Sequence, residues 1–260
     1  LWKECFSINS TNFHTNSIFT SPITTINSKN YFSLPANTDK KIQLKTVPNM
    51  EINFLKPNDK KEEEEVLQFL LDHFLIDEPL FEGLKIKIIK ICSQEPPISM
   101  LVRSKNEENK LVAVMLGQLI NRYEPQNDFY KIEGEKTKYS PNVDIYCKLV
   151  HLCESSVWDL LPKNMVKLCS VAFLSVHKDY RKLGIGYQTI KELVNYLRQM
   201  GNVQGFVSEL SAAGTQKLCK EIGFELLLQI PYEGWKDEKG NQIIKAKDGA
   251  KSLDLQCLFF

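Results

Sequence analysis

The stretch richest in chemically capable side chains is His177-Lys178-Asp179-Tyr180-Arg181-Lys182-Leu183-Gly184-Ile185-Gly186. A buried-looking apolar run precedes it and a helical pattern follows. The first turn of a helix leaves about four N–H groups unpaired, and these groups and the helix dipole together attract anions. Glycine lets a phosphate approach the backbone closely, and Arg181 and Lys182 add positive charge. The amides of residues 182 to 186 therefore suit a diphosphate. The pattern lacks the GxxxxGK[ST] of the P-loop and the third glycine of GxGxxG. On these residues alone, a tight strand-to-helix turn that binds nothing is an equally good reading.

Other chemistries are poorly supplied. His14, His73, His151 and His177 show no HExxH or paired spacing, which excludes a recognisable zinc motif. Cys5, Cys92, Cys147, Cys153, Cys169, Cys219 and Cys257 form no CxxC pair, and most sit in apolar runs. That usage fits free thiols in a reduced, cytoplasmic setting. Lys plus Arg total 33 and Asp plus Glu 32, so charge points to neither a nucleic-acid nor a membrane partner. No apolar run approaches the ~20 residues of a membrane span.

The loop needs elements to hold it. Lys167–Val176 is a nearly continuous apolar run, as expected of a central strand buried on both faces. After the loop, Ile190, Leu193, Val194, Leu197 and Met200 mark one helix face, and Gly201 is a natural stop. Residues 203 to 210 read as the next strand, and a short helix follows that ends at Gly223. Two strands, 224 to 230 and 253 to 259, then close the chain, joined by a turn-rich segment. Upstream, Met50 to Leu55 alternates like a strand, and Asn58 or Asp59 is a helix N-cap candidate. Glu62 to Glu65 suit the positive end of that helix and read as its solvated start. The helix ends before Asp77-Glu78-Pro79-Leu80, because proline disfavours helix in the residue before it. A second helix fits residues 80 to 91. Residues 99 to 104 and 110 to 121 read as an antiparallel pair, 121 to 139 as a loop, and 142 to 161 as a helix with Ile145, Leu149, Leu152 and Val157 inward. Residues 1 to 42, rich in Asn, Ser and Thr, read as a poorly ordered tail, leaving 43 to 260 as the folded domain.

With these elements around it, the loop resembles the acetyl-CoA motif of the GNAT superfamily of N-acetyltransferases. The pattern [RQ]xxGx[GA] is carried by Arg181, Gly184 and Gly186, and "LCKEIGFE" resembles the superfamily's later helix-to-strand motif. "VLQFLLDHFLIDEPL", "SVHKDYRKLGIG" and "YEGWKDEKGN" resemble the insect-type arylalkylamine N-acetyltransferases, dopamine N-acetyltransferases among them. The implied fold is mixed α/β: a twisted, mostly antiparallel sheet flanked by helices, with two central strands splayed to admit acetyl-CoA.

The resemblance also implies roles. Acetyl-CoA would be the co-substrate, with no metal. Arg181, Lys182, Leu183, Gly184, Ile185 and Gly186 would hold its diphosphate, and the backbone of Leu174, Ser175 and Val176 its pantetheine arm. An N–H of that strand could also stabilise the tetrahedral oxyanion. A primary alkylamine has a pKa of ~10, so only about one molecule in a thousand is neutral near pH 7, a cost of ~4 kcal/mol without a base. The resemblance makes Glu78 that base. Physical reasoning adds that a carboxylate at a helix C-terminus opposes the dipole, a cost that structure alone does not explain. Ser211 and Thr215 fall where the subgroup carries two serines near the acetyl group and thiolate, although Ser211 suits an ordinary N-cap equally well. His177 would orient the loop. Tyr232 and Trp235 are candidate walls for an aromatic acceptor, with core packing as the alternative.

The expected partner is a small-molecule amine such as dopamine, serotonin, tyramine, octopamine or tryptamine, bound by a monomer. The competing readings are a polyamine or protein-lysine acetyltransferase, and a non-catalytic acyl-CoA-binding module.

Overall fold

A computed structural model describes residues 41–44, 47–73, 89, 92–93, 95–124, 141–236, 242, 244, 246 and 248–260. All of them lie in the compact unit Leu34–Phe260. Of residues 141–147 only the backbone is described, and the side chain of Ile145, expected to face inward, lies outside the description. The expected tail overlaps them at residues 41 and 42, and Ile42 opens the first strand. Residues 77 to 80, with Glu78, and nearly all of the expected helix 80 to 91 lie outside the described residues.

Among the described residues, eight strands form one sheet in the order β1-β2-β3-β4-β5-β6-β8-β7. They are β1 (Ile42–Gln43), β2 (Met50–Phe54), β3 (Met100–Ser104), β4 (Lys110–Asn121), β5 (Lys167–Val176), β6 (Gly205–Leu210), β7 (Glu225–Pro231) and β8 (Ser252–Phe259). Every neighbouring pair is antiparallel except β5 and β6, which run parallel. Helices among the described residues include α1 (Lys60–His73), α2 (Pro141–Leu160), α3 (Ile185–Met200) and α4 (Ala213–Ile222).

The sheet carries a buried cluster on each face. Val66, Phe69 and Leu70 of α1 and Leu149, Val150, Cys153 and Val157 of α2 pack on one side. Ile190, Leu193, Val194 and Leu197 of α3, with Cys219 of α4, pack on the other. Each fully buried aliphatic of this kind contributes ~1.5–3 kcal/mol. The α3 pattern is the expected one, and the helix stops at Gly201, whose φ of 68° is open to glycine at little cost. In α2 the buried stripe takes in Val150 and Cys153, with Leu152 at its margin.

Asp59 caps α1, accepting hydrogen bonds from the backbone N–H of Lys61 and of Glu62, each 3.1 Å. The glutamates that follow are not merely a solvated start. Glu62 accepts from the Lys56 backbone N–H, Glu63 from the Ser93 hydroxyl, and Glu65 takes two 2.6 Å hydrogen bonds from the buried Arg103 of β3. Through Glu65 and Arg103 the run pins α1 to β3.

Candidate functional site

The site starts from a break in pairing. Strand β5 pairs with β6 only at Cys169↔Phe206, Ser170↔Val207 and Val171↔Ser208. Against β4, the register slips between Leu116↔Phe173 and Gly117↔Val171, so Ala172 is an extra residue in β5. Such a bulge bends its strand and interrupts the ladder. It also resets which face the side chains meet: Cys169 and Val171 lie in the α3–α4 cluster, Ala172 and Phe173 on the α1–α2 side, and Leu174 and Val176 again toward α3. Beyond the bulge β5 stays bonded to β4 and parts from β6.

The freed edge of β5 has a definite polarity. His177 donates its backbone N–H to the Val112 carbonyl at 2.9 Å. In an antiparallel ladder such bonded residues alternate. Ser175 therefore turns its N–H and C=O to β4, while Leu174 and Val176 turn theirs to the slot. The Val176 carbonyl accepts a 3.0 Å hydrogen bond from Nε of Arg181. Where the strands part, a cavity of about 80 Å³ is lined by Phe173, Leu174, Glu209, Ser211 and Thr215, among others.

The glycine loop lies at the open end of β5. Residues Lys178–Tyr180 form a 3₁₀ turn whose N-cap is His177; its Nδ1 accepts from the Asp179 backbone N–H at 3.2 Å. The His177 ring also meets His73 at the end of α1, centroids 4.2 Å apart. This contact joins the glycine loop to the end of α1. Burial, reinforced by His177, holds the His73 imidazole below the usual histidine range.

Lys182 and Gly184 both have positive φ, 63° and 81°. Gly184 is the N-cap of α3 and supplies no side-chain cap. The first intrahelical bond runs from Gln188 N–H to the Gly184 carbonyl. Among the described residues, no acceptor is recorded for the N–H groups of Lys182, Leu183 and Gly184, and helix geometry leaves those of residues 185 to 187 open. Successive N–H groups through such turns form an anion-binding concavity. Lys182, Leu183 and Gly184 are exposed. Ile185 is buried in the core, so its backbone alone faces outward. A Cβ built at Gly186 would meet Leu174 Cδ2 at 3.7 Å and Val176 Cγ2 at 3.9 Å, ordinary contacts that internal packing tolerates. These features fit a diphosphate followed by an extended amide-bearing arm along β5.

The hydroxyls expected at the acetyl end both line the cavity. Ser211 sits at the junction of β6 and α4. The N-cap of α4 is Ala212, and Asp248 Oδ2 accepts the Ala213 backbone N–H at 2.7 Å in place of a local cap. The Ser211 hydroxyl is thus not the helix cap. Thr215 lies in the first turn of α4. Tyr232 and Trp235 are not among the residues lining this cavity. Tyr232 is buried and donates its hydroxyl to the Ser211 carbonyl at 3.2 Å, and Trp235 packs against the α1–α2 cluster.

One site residue escapes the sequence reading. Glu209 of β6 lines the cavity, half-buried, with no basic side chain paired to it among the described residues. Burial pushes its carboxyl up to about 7, outweighing the hydrogen bond from its own backbone amide. The available signal was a lone carboxylate in a strand of otherwise small and apolar residues, "GFVSEL".

No sequence-family model matches the chain, and no curated protein matches it. Solved structures of similar fold include arylalkylamine N-acetyltransferase 2 from Aedes aegypti, with a TM-score of 0.64, 17% identity, and coverage of 81% of this chain and 99% of that one. They also include the Drosophila melanogaster polyamine N-acetyltransferase that forms N-acetylagmatine, with a TM-score of 0.62, 18% identity, and coverage of 81% and 100%. A third is the mosquito arylalkylamine N-acetyltransferase-like protein 5b, with a TM-score of 0.59, 14% identity, and coverage of 81% and 100%. The chain has the fold of these GNAT proteins.

Proposed function

We propose that a chain with the GNAT fold and this slot is an acetyl-CoA-dependent N-acetyltransferase whose acceptor is the primary amine of an arylalkylamine. The observation that carries the proposal is the parting of β5 from β6 beyond Val171, which opens an amide-bearing edge between the uncapped start of α3 and the hydroxyls of Ser211 and Thr215.

Acetyl-CoA, as substrate, supplies the activated acetyl group. The amides of residues 182 to 186, with Arg181 and Lys182, would take its diphosphate. The outward N–H and C=O groups of Leu174 and Val176 would pair with the pantetheine arm. The same edge offers an N–H to the oxyanion that develops when an amine attacks the thioester. Ser211 and Thr215 would position the acetyl group and help protonate the departing thiolate.

The base is a glutamate. The sequence resemblance assigns it to Glu78 of the Asp77-Glu78-Pro79-Leu80 segment. The likeness of residues 66 to 80 to the arylalkylamine enzymes supports that acceptor class over polyamines and protein lysines.

The test is thiol release from acetyl-CoA with dopamine, serotonin, tyramine, octopamine or tryptamine, run beside spermidine, agmatine and a lysine peptide. Turnover is expected with the aromatic amines. Turnover confined to polyamines would change the acceptor and keep the reaction. Acetyl-CoA binding without turnover of any amine would favour a non-catalytic module.

A further inference from the structure

Building on that reading, we propose that Glu209 is a second proton acceptor of the transfer, acting inside the slot on the nitrogen that has just attacked the thioester.

The proton count calls for two acceptors. An alkylammonium carries three N–H protons and the product amide keeps one. The first proton leaves before attack, because only the neutral amine is nucleophilic, and this is the task given to Glu78. The second leaves from the positively charged nitrogen of the tetrahedral adduct. A group that takes it must stand where the C–N bond forms.

Among the described residues, Glu209 is the carboxylate that shares one cavity with Leu174, Ser211 and Thr215. It stands on the strand facing β5 across the gap, one residue beyond the last parallel pair, Val171↔Ser208. Its burial is uncompensated by any basic partner among those residues. An unpaired carboxylate in such a place costs folding energy that packing does not explain.

In the step proposed, the nitrogen lone pair forms the C–N bond and the carbonyl electrons move to oxygen. Glu209 takes one proton from nitrogen. The oxyanion then re-forms its double bond, and the C–S bond breaks with its electron pair on sulfur. The proton on Glu209 passes to the thiolate, directly or through the Ser211 hydroxyl, which restores the carboxylate. The products are amide and thiol, and the first proton goes to solvent. Burial has already raised the Glu209 carboxyl to about 7, while a thiol sits at ~8.5. The carboxylate is therefore basic enough to accept from an ammonium-like nitrogen, and its acid form transfers to thiolate in the favourable direction.

Few charges compete with it. Cys153 and Glu154 of α2 and Asp254 of β8 belong to the same electrostatic neighbourhood, and Cys219 of α4 lines the cavity. Burial holds both thiols far above neutrality and so uncharged. Residues 171 to 176 of β5 carry no titratable side chain, and His73 of α1 is turned to His177.

The experiment compares wild type, Glu209→Gln, Glu209→Asp and Glu78→Gln across pH, following thiol release, with acetyl-CoA affinity measured by calorimetry. Glu209→Gln should keep acetyl-CoA affinity and lose about 100-fold or more in kcat/KM. Wild type should show an acid limb near pH 7, and Glu209→Gln should lose it. Glu209→Asp should recover part of the rate and keep a limb, moved toward acid. A Glu209→Gln protein within about threefold of wild type, with the limb intact, would overturn the proposal. So would loss of the limb in Glu78→Gln alone. If wild type binds acetyl-CoA and turns over no amine, the acetyltransferase reading itself fails, and this assignment with it.

Discussion

Two strand-to-helix junctions stand side by side, one after β5 and one after β6, on the sheet's parallel pair. They treat the positive end of a helix in opposite ways. At the start of α4, a carboxylate from far along the chain, Asp248, accepts the first free N–H, and Gln216 Nε2 ties the Leu210 and Ser252 carbonyls at 2.9 Å each. At the start of α3, the cap is Gly184, no side chain answers the amides, and Arg181 and Lys182 stand beside them. The protein neutralises one terminus with its own charge and leaves the other open. A general tendency of helix starts to bind anions cannot distinguish these two; the difference lies in whether the chain has already supplied the anion.

The sharpest way to break this contrast is to close the open junction. Gly184→Val places a β-branched residue at φ 81°, a strain of order 1–3 kcal/mol. Because it also distorts the amide cradle, acetyl-CoA affinity measured by calorimetry should fall by about 100-fold or more, equivalent to ~2.8 kcal/mol. Undiminished affinity would mean that the cofactor does not use this loop.

Gly186→Ala asks a finer question. The new methyl meets only ordinary contacts at 3.7 and 3.9 Å, so the melting temperature should hold. Affinity should fall by about tenfold, or ~1.4 kcal/mol, if the missing side chain serves the ligand. A matched loss of stability and affinity would make this glycine a packing residue.

At the closed junction the effects should reverse. Asp248→Ala removes a helix cap and should cost about 1 kcal/mol in chemical denaturation. Acetyl-CoA affinity should stay at the wild-type value. A large loss of affinity would show that the two junctions are not independent.

The smallest expected effect lies at the edge of the open junction, where His73 meets His177. The folded state holds His73 below its ordinary pKa, so the unfolded chain binds more protons there. This contribution to stability is complete above the unfolded value of ~6.5 and is lost as pH falls from there through the lower folded value. Denaturation midpoints of wild type should decline more steeply from pH 7.5 to 5.5 than those of His73→Phe. Parallel declines would remove His73 from the acid response.

Much of this was legible in the chain. Strands β4 and β5 coincide with their apolar runs residue for residue, since a strand buried on both faces is apolar along most of its length and admits only isolated polar residues such as Gln118, Ser170 and Ser175, and Gly201 and Gly223 mark helix ends by their positive φ. The amide loop and its neighbours were legible for the same reason: glycine spacing encodes local geometry. What was not legible depends on register. Whether Leu174 or Ser175 turns its amide to the slot follows from the bulge at Ala172, and no pattern in "KLCSVAFLSV" announces it. Ser211 was ambiguous because its competitor for the cap, Asp248, lies 35 residues beyond the Ala213 amide that it accepts. Glu209 was overlooked because alternation in β6 reads a lone carboxylate as a solvent-facing residue, and only the parting of β5 and β6 turns it into a cavity wall.

The proposed function rests on the open amides after β5 binding the diphosphate of acetyl-CoA. Amide-resolved NMR on the isotope-labelled protein tests it most directly, comparing acetyl-CoA with an acetylated pantetheine fragment that lacks the diphosphate. The amide signals of residues 182 to 187 should shift strongly with acetyl-CoA and little with the fragment, while those of Leu174 and Val176 should respond to both. Saturable acetyl-CoA binding that leaves the signals of residues 182 to 187 unmoved would contradict it.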